Sequence, residues 1–114
     1  MMTDQTTATQ IVHGVSVTQV MNRAFYICHD SPLFKDLFIL NFDHEGVHIT
    51  IDDSDLTLDI TIDDQMIPGH PYWWWQIDRG DFPLDFGKAD MQWQMKRTVR
   101  KLIEDLYDHH WRDK

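Results

Sequence analysis

Leu56-Thr57-Leu58-Asp59-Ile60-Thr61-Ile62-Asp63 alternates apolar and polar residues without a break. Successive side chains of a strand point to opposite faces. The stretch therefore predicts a strand with Leu56, Leu58, Ile60 and Ile62 buried and Thr57, Asp59, Thr61 and Asp63 on the other side. The same period runs upstream. Val47, Ile49 and Ile51 alternate with His48, Thr50 and Asp52, and Phe38, Leu40 and Phe42 alternate with Ile39 and Asn41. Asp43-His44-Glu45-Gly46 and Asp53-Ser54-Asp55 supply the turns between these runs. Connections this short predict an antiparallel meander. Downstream, residues 64–71 read as a loop around Pro68-Gly69, and residues 72–78 as a fourth strand with Trp73, Trp75 and Ile77 on one face.

The flanks switch to helical period. Ser16 with Gln19 three residues on has the form of a capping box, and Val15 with Val20 fits a hydrophobic staple. Val17, Val20, Met21, Ala24 and Cys28 then recur at helical spacing, predicting a helix over 17–29 that ends before Ser31-Pro32. A short strand is expected at 10–13, and the Thr/Gln-rich residues 1–9 are expected to fray. Residues 79–88, with Gly80, Pro83 and Gly87, read as irregular. A last helix is expected over 89–111, its buried stripe marked by Met91, Met95, Val99, Leu102, Ile103, Leu106 and His110. The expected fold is a single α+β domain: a four-stranded antiparallel meander with an N-terminal and a long C-terminal helix packed on one face, in the order α-β-β-β-β-α.

The 114 residues suffice for one modest core, and 42% of them are hydrophobic. The lone Cys28 excludes an internal disulfide and a cysteine-rich zinc site. Residues 1–10 have no apolar segment of the secretory type, and no apolar run approaches a membrane span, so a cytoplasmic protein is expected. The net charge of −9 is unevenly placed. Residues 36–78 hold ten acidic residues and no Lys or Arg, whereas residues 88–114 hold seven basic and five acidic ones. Nucleic acid or an anionic membrane is disfavoured at the acidic segment.

The expected outer sheet face carries Ile39, Asn41, His48, Thr50, Asp52, Thr57, Asp59, Thr61, Asp63, Tyr72 and Trp74. Strand residues two apart are about 6.6–6.8 Å apart, so these carboxylates form a spaced row on a stiff surface. Together with the Asp-rich turns they would attract a cationic surface and speed association. Candidate partner-binding residues are Asp52, Asp53, Asp55, Asp59, Asp63 and Asp64 for charge, and Tyr72 and Trp74 as aromatic anchors. The plain alternative is a solvated polar face with ordinary Asp turn chemistry. Like charges on neighbouring strands lower stability, and a partner would offset that cost.

Catalytic signatures are missing: there is no nucleophile elbow, no phosphate-binding loop and no dinucleotide fingerprint. Asp52-Asp53 and Asp63-Asp64 are adjacent, so in a strand each pair would point to opposite faces. No cofactor is expected. His44, Glu45 and His48 offer metal donors near one turn, but their spacing matches no standard ligand set. Lys96, Arg97, Arg100 and Lys101 form a basic stripe on the last helix, which could touch phosphate, meet the acidic sheet of another copy, or pair internally as Arg100–Glu104 and Lys101–Asp105. In charge and shape the profile resembles proteins that imitate nucleic acid, such as some phage-encoded inhibitors. The expected function is a non-catalytic acidic binding protein, an inhibitor type that engages a basic protein surface on a nuclease or DNA-handling protein. The alternatives are an assembly subunit that forms a homo-oligomer through the aromatic sheet face, and a small metal-dependent enzyme.

Overall fold

The computed structural model describes residues 10–112, so the segment expected to fray at 1–9 lies outside the described residues. Strands β1 (Ile11–Val12) and β2 (Val15–Ser16) form a tight hairpin. Its two turn residues, His13 and Gly14, both have positive φ, at 55° and 77°, the backbone that a two-residue hairpin turn requires. Helix α1 (Val17–Asp30) follows at once. Ser16 caps it as expected: the Ser16 hydroxyl accepts from the Gln19 N–H, and the Gln19 side chain accepts from the Ser16 N–H.

The main sheet has five antiparallel strands in sequence order: β3 (Phe38–Phe42), β4 (Gly46–Ile51), β5 (Leu56–Asp63), β6 (Tyr72–Arg79) and β7 (Phe82–Lys88). The meander is as expected, with one strand more. The segment expected to be irregular is β7, and its three breaking residues each have a place there. Gly80, with φ 58°, makes the tight turn out of β6. Pro83 lies on an edge strand beside the bulge opposite Ile77 and Asp78, where a missing N–H is tolerated. Gly87 lies opposite Trp75, and a Cβ on it would stand 3.2 Å from the indole nitrogen.

Helix α2 (Met95–Arg112) starts six residues later than the apolar stripe suggested. The Ala89 N–H still bonds the Trp73 carbonyl at 2.8 Å, which keeps the chain extended beside β6. Trp93, at φ 70°, then turns it into the helix. Met91 is buried as expected, but from this non-helical connection.

Both helices cover one face of the sheet. Val20, Ala24 and Ile27 of α1 and Val99, Leu102, Ile103 and Leu106 of α2 join Val47, Ile49, Leu58, Ile60, Trp73 and Ile77 in one core. Full burial of each large aliphatic side chain stabilises by roughly 1.5–3 kcal/mol. Trp73 is the largest side chain in this core, and its indole N–H donates to the Val12 carbonyl at 3.0 Å, tying the small hairpin to the sheet. Cys28 is buried in the same cluster, which pushes its thiol up to about 12. Iodoacetamide should therefore label Cys28 in the unfolded protein far faster than in the native one. Rapid native labelling, followed by mass spectrometry, would contradict this packing. Among the described residues no helix is long and apolar enough to cross a membrane.

Candidate functional site

The face of the sheet turned away from the helices is built in rows, because pairing across an antiparallel sheet places directly opposite residues on the same side. One row reads Asn41, His48, Asp59, Gln76 and Phe86, from β3 to β7. A second reads Thr61, Trp74 and Lys88, a third Ile39, Thr50, Thr57 and Asp78, and Asp63 stands opposite Tyr72. Asp59, Asp63 and Trp74 thus occupy the face assigned to them. Thr61 separates the two carboxylates along β5.

Asp52 stands at the very end of this face. Strand β4 ends at Ile51, and the Asp52 N–H bonds the Leu37 carbonyl at 2.9 Å, one step on from the Phe38–Ile51 pair and in the same register, before the chain turns. Asp53, at φ 60°, and Asp55 belong to the same turn, where Asp55 meets Arg79 at 3.3 Å. Asp64 lies at the opposite end of β5, outside the strand. Strand β5 is eight residues long, about 26 Å at strand rise, so the turn carboxylates and Asp64 flank opposite ends of the face. Tyr72 is also not a free anchor. It is 8% exposed, its hydroxyl donates to Asp63 at 3.3 Å, and the Lys88 ammonium sits 5.0 Å from its ring centre. Burial, then the Asp63 charge, raises its pKa.

The aromatic platform is made by a different pair. Trp74 stacks on Phe86 with ring centres 5.6 Å apart and planes 24° from parallel, and Phe86 is 56% exposed. Phe86 and Lys88 were hidden in the segment read as irregular. The bulge at Leu84 reverses the in-out parity after Pro83 and so turns Phe86 outward. A ladder of side chains runs down β6 from this platform. The Trp74 indole N–H donates to Gln76 at 3.4 Å, and Gln76 donates to Asp78 at 2.9 Å.

His48 reorganises the charge of the face. Its Nδ1 lies 2.7 Å from Asp59 and its Nε2 3.1 Å from Asp43. Only the doubly protonated ring can donate to both carboxylates. Partial burial pushes the His48 pKa down, but the two carboxylates outweigh it and hold it above the ordinary histidine value. For Asp43, partial burial raises the pKa, and the Glu45 and Gly46 N–H groups with His48 more than reverse this. The two shifts define a pH window. The His48 contribution to stability is complete below the unfolded histidine pKa of ~6.5 and is lost as pH rises through the higher folded value. The Asp43 contribution is present above ~3.9 and is lost as pH falls through the lower folded value. Thermal melts should therefore show stability falling above about pH 6.5, by up to ~1 kcal/mol for a pair this exposed. His48→Gln should remove that part of the fall, and an unchanged pH profile in the variant would contradict it.

The engagement of both ring nitrogens leaves His48 none with which to abstract a proton from a ligand. Among the described residues no group of three or more His, Cys, Asp or Glu side chains is placed to hold a metal ion. The acidity available to a partner is narrower than the sequence suggested. A protonated His48 offsets one of the two charges of Asp43 and Asp59, while Asp63, which accepts from the Tyr72 hydroxyl and the Gln65 N–H, and Asp78, which accepts from Gln76, are paired with no cation among the described residues. Comparison with protein-family models, with curated proteins and with solved structures finds no match to this chain.

Proposed function

We propose that this is a non-catalytic binding protein whose outer sheet face engages a cationic protein surface, of the kind that handles nucleic acid, and inhibits it by occupying that surface. The Trp74–Phe86 stack, on a sheet face that neither helix covers, carries the reading. An arginine side chain can lie on such a platform by cation–π contact while its guanidinium pairs with Asp63 or Asp78 beside it. Tryptophan in such a setting is typical of binding hot spots. The carboxylates of residues 52–55 and of Asp64 extend the negative field beyond the two ends of the face and speed encounter.

The test is displacement of a labelled DNA duplex from purified basic nucleases and DNA-binding domains, read by anisotropy. The wild-type protein should displace the duplex from at least one of them. Trp74→Ala should weaken that displacement about 30-fold, a hot-spot loss of ~2 kcal/mol, and the paired change Asp59→Asn with Asp63→Lys should abolish it. Equal potency of all three proteins, at unchanged melting temperature, would sink the reading.

Self-assembly is the second reading, and β7 favours it. Phe82 and Phe86 are 68% and 56% exposed on an edge strand with open hydrogen-bonding groups. Light scattering at several salt concentrations separates the two readings, because a monomer at every concentration removes the oligomer.

A further inference from the structure

A second surface lies on the helical side of the molecule. The β1–β2 turn, the middle of α1 and the start of α2 enclose an open groove of about 1140 Å³. That exceeds the ~300–1,000 Å³ of pockets for single small molecules and suits a segment of chain. Arg23, Lys96, Arg97 and Arg100 line it, and no Asp or Glu does. In a protein with 19 acidic and 10 basic residues, this concentration of cations is against the average. None of the four has an ion-pair partner among the described residues; Lys101 pairs with Asp105 at 3.5 Å, but the expected Arg100–Glu104 pair does not form. Arg23 is held in place by its bond to the Lys96 carbonyl at 3.2 Å and by the Tyr26 ring beneath it at 5.7 Å.

Three local rules are broken here together. Lys96 and Arg97 occupy the first turn of α2, where the helix dipole disfavours cations, and that turn has no acidic residue. Lys96 and Arg97 stand four and three residues before Arg100, so like charges neighbour each other along one helix face. Trp93, a bulky residue at φ 70°, holds a left-handed backbone conformation and leaves its indole 93% exposed. Each lowers stability, and such coincident departures concentrate at functional sites.

We propose that this groove binds a segment of single-stranded nucleic acid, with Arg23, Lys96, Arg97 and Arg100 on phosphates and Trp93 stacked on a base. Cations along a groove beside a displayed aromatic face are the features that single-strand binding uses. An acidic peptide would need the cations but has no use for the exposed indole. The net charge of −9 does not forbid the contact. The sheet stands between the groove and the Asp59–Asp63 face, and charges are screened within about 8 Å at physiological salt. The proposal rests on residues separate from those of the sheet face, so the two readings fail independently.

The experiment is anisotropy of a fluorescein-labelled ten-nucleotide oligouridylate at low salt, with the full chain. Binding is expected, with a salt slope of up to about −2.8 for four phosphate contacts. Trp93→Ala should weaken it about 10-fold, Trp93→Phe should retain it, and Arg97→Glu with Arg100→Glu should abolish it at unchanged melting temperature. The sheet variant carrying Asp59→Asn and Asp63→Lys should bind the oligonucleotide no more weakly than wild type. The proposal is overturned if the oligonucleotide does not bind at low salt, or if a ten-residue polyglutamate binds equally and Trp93→Ala leaves both affinities unchanged.

Discussion

Gly46→Ala is expected to be the most damaging single-methyl addition in this protein. Gly46 is buried at the start of β4, opposite Thr61 in the central strand pair. A Cβ there would collide with the Ile60 carbonyl oxygen and stand 2.6 Å from the Thr61 Cα. Both are backbone atoms of β5, so no rotamer change relieves the overlap, and the two strands must separate. Overpacking a core generally costs about 1–3 kcal/mol, with more where the backbone has to move, and about 3 kcal/mol or above is expected here. Domains of this size have roughly 5–15 kcal/mol in all. The melting temperature should therefore fall by more than ~10 °C, as circular dichroism would show. A fall below about 4 °C, under 1 kcal/mol, would mean that β4 and β5 do not approach as described.

Trp73→Ala comes next. The side chain is 0% exposed, and deleting a buried aromatic costs about 3–5 kcal/mol. The variant also removes the indole N–H that satisfies the Val12 carbonyl. Trp73→Phe separates the two effects. It keeps most of the ring packing and loses the hydrogen bond, for an expected ~1–2 kcal/mol. Both variants should speed amide exchange in the β1–β2 hairpin, which the indole ties down. Protection there equal to wild type would show that the hairpin is held by other contacts.

These positions also show what a sequence can and cannot reveal. The strands β3 to β5 were legible because apolar and polar residues alternate along them, and α1 because its cap and its apolar spacing agree. Strand β7 was not, since Gly80, Pro83 and Gly87 are normally breakers. Their fitness depends on a tight turn, an edge position and the Trp75 ring, all tertiary facts. The start of α2 is not legible in the sequence because Met91 falls in phase with the helix stripe, while the Ala89–Trp73 bond that keeps the segment extended is long-range.

The candidate site was legible in outline only. The carboxylates Asp59 and Asp63 and the indole of Trp74 lie on one face as their alternation implies. The pairing of His48 with Asp59 depends on cross-strand register, and so does the shielding of Tyr72 by Lys88. Phe86 needed the bulge. The segment's net charge alone does not describe this face, and the proposed function rests instead on the aromatic stack and the carboxylates of Asp63 and Asp78.

In the proposed function this stack and its carboxylates form the partner-binding surface. Its most direct test is a titration of the isotope-labelled protein with a ten-residue arginine-rich peptide, following amide and indole shifts by NMR at low and high salt. Saturable, salt-sensitive changes are expected at Asp59, Thr61, Asp63, Trp74, Asp78 and Phe86. Changes confined to residues 52–55, or none at all on the sheet, would contradict it.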